Sequence, residues 1–308
     1  MAYDLKDKLT IAVTTRALFD LEFENKIFEE KGEKEYEKYQ IDNEDKQLAK
    51  GVAFNLIESL LSINNFEETK DKVEVIIASR NSANTSLRVF NSIEKYGLNI
   101  SRGFFTGGDD LTKYLEALNV DLFLTANQND AQQAIDFGIP AAVLLTNNVP
   151  EYSNQNKGEI RIAFDGDAVI FSEDSELIYK KEGLEKFKEN EKENANSPLK
   201  EGPFANFLKI ISELQNSLGE GNKLIKTALI TARNAPSHKR VINTLRKWNV
   251  KINEVFFLGG ISKNPILKAF GAQIFFDDQK VYTEPASEYV PSGTVPYKSN
   301  SEINKFQQ

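Results

Sequence analysis

A long internal repeat constrains the fold of this chain more than any other feature of its sequence. The stretch VEVIIASRNSANTSLRVFNSIEKYGLNISRGFFTGG, residues 73–108, parallels IKTALITARNAPSHKRVINTLRKWNVKINEVFFLGG, residues 225–260. Each has an apolar run, a polar turn with an Arg-Asn pair, an amphipathic segment and a second apolar run that ends in Gly-Gly. The offset stays at 151–152, and Gly107 matches Gly259. A register this constant over about 115 residues indicates a duplicated unit, because chance similarity between two strand–helix–strand segments does not extend so far.

Strands that alternate with helices predict the fold class. In the second copy, short apolar runs have the composition of strands that are buried on both faces, and they lie at residues 160–164, 227–231, 254–258 and 273–276. The segment HKRVINTLRKWN between two of them has apolar residues three and four apart, as one helical stripe requires. We therefore predict an α/β fold of two duplicated parallel-sheet units with right-handed crossovers and helical cap insertions. The predicted domains are residues 1–150, residues 151–290 with a small cap insertion at about 172–205, and a polar C-terminal tail, 291–308. The polar segment from Pro285 onward is expected to pack loosely or to extend across the surface.

Charge and composition exclude several classes of protein. The 46 acidic and 38 basic side chains give a formal charge of −8, which disfavours a partner that is a nucleic-acid polymer. With no cysteine and one histidine, the chain has no disulfide, zinc ribbon, iron–sulfur cluster, thiol nucleophile or histidine-based metal cluster. No signal-peptide core and no apolar run of 18 residues occur. We expect a soluble, cytoplasmic protein with no membrane partner, and the sequence leaves homo-oligomerisation open.

The segment AFDGDAVIF, residues 163–171, is the sharpest local motif. A predicted strand delivers Asp165 and Asp167 at its carboxyl end, which is where open α/β sheets bind their ligands. The glycine between them lets both carboxylates turn toward one site. Asp-Gly is also a common turn sequence, so this motif alone leaves ordinary turn chemistry open.

Three further polar groups follow the other strands of the second copy. Thr231 ends the second strand and, with Ala232, offers a hydroxyl and backbone N–H groups near a helix N-terminus, which suit a phosphate. Lys263 follows the third strand, where its ammonium could neutralise phosphoryl oxygens. Asp277 and Asp278 end the fourth strand, and two adjacent carboxylates there are costly unless a cation offsets them.

In this order, these four pieces resemble the motifs of the haloacid-dehalogenase-like phosphohydrolases. Their pattern is D-x-D-x-[TV], then Thr or Ser, then Lys, then paired acids, at successive strand ends of one Rossmann-like sheet. The chain is more closely similar to the AMP-preferring cytosolic 5′-nucleotidase I family. The similarity extends from about Leu9 to about Tyr297 and is carried by IAVTTRALFDLE, GVAF, RVFNSIEKYGL, RIAFDGDAVIFSEDSE, KEGPF, LITARNAP, RVINTLRKW, FFLGG and IFFDDQ.

The resemblance implies a magnesium-dependent hydrolase of nucleoside 5′-monophosphates, with AMP as the leading substrate. Asp165 would attack the phosphate and form an aspartyl-phosphate, and Asp167 would act as general acid and then general base. Mg²⁺ would be held by Asp165, Asp167 and the terminal pair Asp277 and Asp278. The implied phosphate-binding residues are Thr231, Ala232 and Lys263. Two alternatives stay open: a phosphatase of sugar phosphates or other small phosphate esters, and a non-catalytic nucleotide sensor.

The first copy lacks these acids. Thr14 and Arg16 stand at the register of Asp165 and Asp167, and Thr125 with Ala126 replaces the terminal pair. A hydroxyl cannot replace a carboxylate nucleophile, and a guanidinium repels Mg²⁺, so we predict that only the second copy is catalytic.

An Arg-Asn pair follows the second strand in both copies. The pairs are Arg80-Asn81 and Arg233-Asn234. These residues either form only the strand-to-helix turn that both copies share or contact a nucleotide. The sequence leaves both interpretations open.

Overall fold

The computed structural model describes residues 3–146, 158–219, 221 and 223–306. The chain divides into two compact units: unit 1 is Met1–Ile139 with Val143–Val149, and unit 2 is Pro140–Ala142 with Pro150–Gln308. The predicted boundary at residues 150 and 151, and the last two residues of the predicted tail, lie outside the described residues. Within the described ranges, none of the helices has the length and apolar character needed to cross a bilayer.

Unit 1 is a parallel sheet with helices between its strands. Its main strands β1 and β4 are buried at every position, as in sheets that are covered on both faces. The strands are β1 (Leu9–Val13), β2 (Phe19–Asp20), β3 (Ala49–Lys50), β4 (Val73–Ser79), β5 (Arg102–Phe105), β6 (Leu122–Thr125) and β7 (Ala141–Leu144), of which Val143 and Leu144 belong to this unit. The helices are α1 (Thr15–Leu18), α2 (Glu22–Lys31), α3 (Glu33–Asp42), α4 (Phe54–Ser62), α5 (Ser86–Tyr96), α6 (Thr112–Ala117) and α7 (Gln128–Asp136). The sheet order is β5-β4-β1-β6-β7, and β2 pairs with β3 in a separate antiparallel ribbon.

Unit 2 has the same alternation. Its strands are β8 (Ile160–Phe164), β9 (Ile225–Thr231), β10 (Glu254–Phe257), β11 (Ile274–Asp277) and β12 (Ser292–Thr294). Its helices are α8 (Asp174–Glu193), α9 (Ala205–Ser217), α10 (His238–Lys247), α11 (Asn264–Phe270) and α12 (Lys280–Ala286). The order is β10-β9-β8-β11-β12, and every neighbouring pair is parallel. The prediction of a mainly parallel α/β fold is therefore confirmed.

The first strand of each unit pairs with its neighbours in the same register. The matched pairs are Val13–Ile77 and Val13–Leu124 in unit 1, and Phe164–Leu229 and Phe164–Phe276 in unit 2. The next residue also makes the same bond in both units: the amide of Thr14 donates to Leu124 O at 2.9 Å, and the amide of Asp165 donates to Phe276 O at 2.8 Å. Thr14 and Asp165 therefore occupy corresponding places in their sheets.

A bent pair of helical segments follows the first strand in each unit. In unit 1, α2 and α3 meet at Gly32, with φ 81° and ψ 178°. In unit 2, α8 bends at Gly183, with φ 84° and ψ 179°. Such a positive φ favours glycine, which has no Cβ. We call these segments the cap helices, and the one in unit 2 lies within the insertion predicted at about 172–205.

Part of the C-terminal segment, residues 290–297, is buried, so the expectation that it packs loosely or extends across the surface is wrong for that part. Strand β12 pairs with β11, and Val295 and Tyr297 beyond it are buried. A polar side chain in this part is satisfied inside the unit, since the hydroxyl of Thr294 is hydrogen-bonded to that of Thr283 at 2.7 Å. Composition alone does not distinguish a solvated polar segment from one with internal hydrogen bonds.

Candidate active site

The polar residues that the sequence singled out meet at the carboxyl ends of the unit 2 strands. Asp165 follows β8, Thr231 ends β9 and Asp277 ends β11, while Lys263 directly precedes α11. All four are buried. They converge because β8 lies between β9 and β11 in one parallel sheet, so these carboxyl ends share an edge.

The ammonium of Lys263 links two of the carboxylates. Its Nζ donates to Asp165 Oδ1 at 2.5 Å and to Asp277 Oδ2 at 2.6 Å. Burial disfavours a charged lysine, but the attraction of both carboxylates outweighs it and raises the pKa of Lys263. Burial raises the pKa of Asp165 to about 7, and Lys263 opposes that rise. The buried carboxyl group of Asp165 is thus in direct contact with the positive charge of Lys263.

Asp167 is held by a buried arginine. Arg233 donates to both of its carboxylate oxygens, from Nε at 2.8 Å and from Nη2 at 2.6 Å. The other edge of that guanidinium donates to Glu191 on α8. Glu191 also accepts from Arg240 Nη1 at 2.8 Å and from Ser175 Oγ at 2.9 Å. Asp167 and Arg233 are therefore joined to the cap helix by a chain of charge-assisted hydrogen bonds.

Asp278 lies in a second buried cluster that the sequence did not reveal. The Tyr297 hydroxyl contacts Asp278 Oδ2 and donates to Glu176 Oε2 at 3.1 Å. The side chain of Gln279 donates to Glu176 Oε1 at 3.1 Å. Burial, then Asp277 and Glu176, raise the pKa of Asp278 well above its usual range, and burial raises the pKa of Glu176 to about 7. This cluster has a deficit of positive charge.

The donor set of this site fits magnesium. Asp278 Oδ1 is buried and has no hydrogen-bond partner among the described residues, which leaves an acceptor for a cation. Within those residues, no three Asp, Glu, His or Cys side chains are arranged as a ready-made metal cage. Mg²⁺ seldom uses such a cage, because it keeps several waters and binds one or two carboxylates together with substrate phosphates. Carboxylates of Asp165, Asp277 and Asp278 offer suitable oxygens.

A cavity of about 480 Å³ opens onto Asp165. Asp165, Asp167, Glu176 and Lys263 line it, and so do the predicted phosphate-binding and nucleotide-contact residues Thr231, Ala232, Arg233 and Asn234. The cap helix α8 contributes an apolar wall of Tyr179, Leu184 and Phe187. Its volume is within the range of about 300–1,000 Å³ that is usual for small-molecule sites. The cavity therefore has a charged end and an aromatic end.

The corresponding strand ends of unit 1 carry none of the acids, as the sequence indicates. Thr14 and Arg16 follow β1, Thr125 ends β6 and Ala126 comes next. Arg80 donates to Asp130 at 2.6 Å and Asn81 donates to the Tyr36 hydroxyl at 3.0 Å.

Nearly the whole chain matches a known family. The model of the 5′-nucleotidase family matches residues 1–302. The chain belongs to the 5′-nucleotidase family. It is 36% identical to human cytosolic 5′-nucleotidase 1B over 291 residues, which are 91% of this chain and 47% of that relative. The chain thus spans about half the length of this curated relative. Family membership confirms the resemblance drawn from the motifs, and 5′-nucleotidases are hydrolases.

Proposed function

We propose that this protein is a magnesium-dependent 5′-nucleotidase that hydrolyses nucleoside 5′-monophosphates, AMP foremost, to nucleoside and phosphate. The observation that carries the proposal is the buried pair of bonds from Lys263 to Asp165 and Asp277, at neighbouring strand ends of a family member. A lysine between two acids is suited to a reaction in which a carboxylate must approach a phosphate dianion.

Asp165 is the proposed nucleophile. Its carboxylate oxygen forms a bond to phosphorus as the bond from phosphorus to the ribose 5′-oxygen breaks, and the product is an aspartyl-phosphate. Lys263 lowers the repulsion between carboxylate and phosphate. The Thr231 hydroxyl and the Ala232 N–H donate to phosphoryl oxygens. A water molecule then attacks the aspartyl-phosphate and releases phosphate.

Asp167 is the proposed general acid and base. It gives a proton to the departing 5′-oxygen and later takes one from the attacking water. Arg233 fixes its orientation through two bonds, so the carboxyl group needs little reorganisation in either step. Because both edges of that guanidinium are engaged, we assign Arg233 to positioning Asp167 and no longer to contacting the nucleotide.

Mg²⁺, when bound, would supply the positive charge that offsets the phosphate dianion. The carboxylates of Asp165, Asp277 and Asp278 and the backbone carbonyl of Asp167 would hold it.

Two observations favour a nucleotide over the alternatives. The rings of Tyr179 and Phe187 line the cavity, and an aromatic wall suits a nucleobase better than a sugar phosphate. A sensor that only binds needs no paired nucleophile and general acid.

The relative that is named a cytosolic enzyme supports a cytoplasmic location, which we include in the proposal.

We also propose that the chain is a duplicated haloacid-dehalogenase-like fold in which only the second copy is catalytic. The common strand order, the equal pairing register and the equal bends at Gly32 and Gly183 support duplication. Thr14, Arg16 and Thr125 at the strand ends of unit 1 support the loss of catalysis.

A phosphate-release screen tests the proposal. Purified protein is assayed on nucleoside 5′-monophosphates and on sugar phosphates, with Mg²⁺ and with EDTA, and Asp165→Asn serves as the control for contaminating phosphatases. We expect release from AMP with Mg²⁺ only. Release that is equal from sugar phosphates would favour the broader phosphatase, and no release from any ester would favour the sensor.

A further inference from the structure

Unit 1 contains a cavity that the proposed reaction does not use. Its volume is about 440 Å³, close to that of the unit 2 cavity. It lies at the carboxyl ends of β1 and β4, and Arg16, Arg80, Asn81 and Gly107 are among its lining residues. Loss of catalytic acids alone does not explain why a cavity of this size persists, because side chains that fill an unused cavity would stabilise the protein.

The aromatic end of the cavity is present in both units. In unit 1, the rings of Phe28 and Tyr36 lie 5.8 Å apart at 86° and line the cavity. In unit 2, the rings of Tyr179 and Phe187 lie 6.4 Å apart at 79° and line theirs. Both pairs stand on the bent cap helices, with the bending glycine between their two members. Phe28 is 49% exposed, so its ring is not needed to fill a core and remains accessible to a ligand.

The strand-end side of the cavity has changed its charge. Asp165 and Asp167 line that side in unit 2, whereas Thr15 and the guanidinium of Arg16 line it in unit 1. Glu22 accepts from Arg16 Nε and Nη2, both at 2.7 Å, so among the described residues it takes one edge of that guanidinium. The other edge can donate to phosphate oxygens.

The cap side of the cavity is acidic. Glu33 and Glu37 on α3 line it. These carboxylates repel a phosphate but can accept hydrogen bonds from ribose hydroxyls or from the amino group of a base. The charges therefore favour one orientation, with the phosphate at Arg16 and the base near Phe28 and Tyr36.

We propose that unit 1 binds a nucleoside monophosphate without hydrolysing it and without a metal ion. The inference rests on the proposed function, because it takes the unit 2 cavity as the example of a nucleotide site. The aromatic pair binds the base, and Arg16 provides the positive charge that Mg²⁺ and Lys263 would provide in unit 2. Hydrolysis does not follow, because Thr14 and Arg16 offer neither a carboxylate nucleophile nor a proton donor to the leaving oxygen.

Equilibrium dialysis of AMP against the full-length Asp165→Asn chain tests this, at concentrations up to about 1 mM, the upper end of common substrate affinities. We expect two AMP per chain with Mg²⁺ and one in EDTA, because the acids of unit 2 repel the phosphate when no cation is present. Adding Phe28→Ala or Arg16→Gln should weaken the EDTA-resistant binding at least about tenfold, the effect of ~1.4 kcal/mol. Adding Tyr179→Ala, the matched change in unit 2, should leave that binding unchanged. Circular dichroism verifies that each variant is folded.

Two results would overturn the inference. One is a single AMP per chain with Mg²⁺ and none in EDTA. The other is EDTA-resistant binding that Tyr179→Ala removes and Phe28→Ala leaves intact. The proposed function fails separately, if the wild-type enzyme with Mg²⁺ releases no phosphate from any mononucleotide, whatever the outcome of dialysis.

Discussion

The buried carboxyl group of Asp165 should make the stability of unit 2 depend on pH. Burial raises its pKa to about 7, with Lys263 opposing the rise. In the unfolded chain the same group titrates near its ordinary value of about 4. Between these two pH values the folded protein holds a proton that the unfolded chain has lost. The contribution of Asp165 to the free energy of unfolding should therefore be largest near pH 4. It should be lost as the pH rises through 7.

The size of the effect follows from the difference in pKa. About three pKa units, at about 1.4 kcal/mol each, give about 4 kcal/mol between pH 4 and pH 8. Asp165→Asn removes this dependence. The free energy of unfolding of the wild type, minus that of the variant, should therefore fall by about 4 kcal/mol from pH 4 to pH 8. Trp248 is the only tryptophan and lies in unit 2, where its ring is 5.6 Å from that of Phe171. Its fluorescence during urea unfolding in EDTA therefore reports on this unit.

The matched control is Glu193→Gln, which removes an exposed carboxylate from the cap helix of the same unit. It should keep the wild-type pH profile, because its side chain lies in water before and after unfolding. Mg²⁺ added to the wild type at pH 8 should raise its stability, since a ligand of the folded state shifts the equilibrium. Equal pH profiles for wild type and Asp165→Asn would refute the idea that burial of this acid costs stability at neutral pH.

Four further outcomes are expected from the site. Asp165→Asn should abolish turnover, because an amide cannot replace the carboxylate nucleophile, and retained activity in a phosphate-release assay would exclude the covalent step. Asp167→Asn should slow hydrolysis about 10²–10⁴-fold, and less for esters with better leaving groups, which need less proton donation. EDTA should stop turnover, Mg²⁺ should restore it, and Ca²⁺ should do so poorly because its bonds are longer. Glu191→Gln should lower the free energy of unfolding by about 3 kcal/mol, since it leaves Arg240 without a counter-charge and Arg233 with Asp167 alone; a loss below about 0.5 kcal/mol in urea unfolding would contradict this.

Much of the fold could be predicted from the sequence, because the strands are short apolar runs and the units repeat. The run at 160–164 is β8 with the predicted bounds, and the stripe of HKRVINTLRKWN is carried by α10. Asp165, Lys263 and Asp277 were predicted to meet only because strand ends of a parallel sheet share an edge. Their contacts in the structure agree with that reasoning.

The supporting residues could not be predicted in the same way. Glu191 stands in a helix that is rich in Lys and Glu, so its composition resembles that of a solvated surface, yet it is fully buried. Tyr297 lies beyond the repeat in a polar segment, and only the three-dimensional path of the chain brings its hydroxyl to Asp278. One signal was available for Glu191, namely its counterpart 151 residues earlier, Gln40, which also sits on a cap helix and is also buried.

That counterpart shows where each unit places the carboxylate that compensates a buried arginine. Arg88 donates to Gln40 at 2.9 Å and to Glu24 at 2.8 Å, whereas Arg240 donates to Glu191 at 2.8 Å. Unit 2 differs because it contains Asp167, which requires Arg233 to hold it. Asp167 is the counter-charge of Arg233, and a neutral amide at position 191 would leave Arg240 uncompensated, because Ser175 stands where unit 1 has Glu24. Unit 1 has no acid at that strand end and has Asn81 at the register of Arg233, and the glutamine on its cap helix needs no charge because Glu24 compensates Arg88. The carboxylate at position 191 thus compensates Arg240 and also contacts Arg233, which holds the proposed general acid, Asp167.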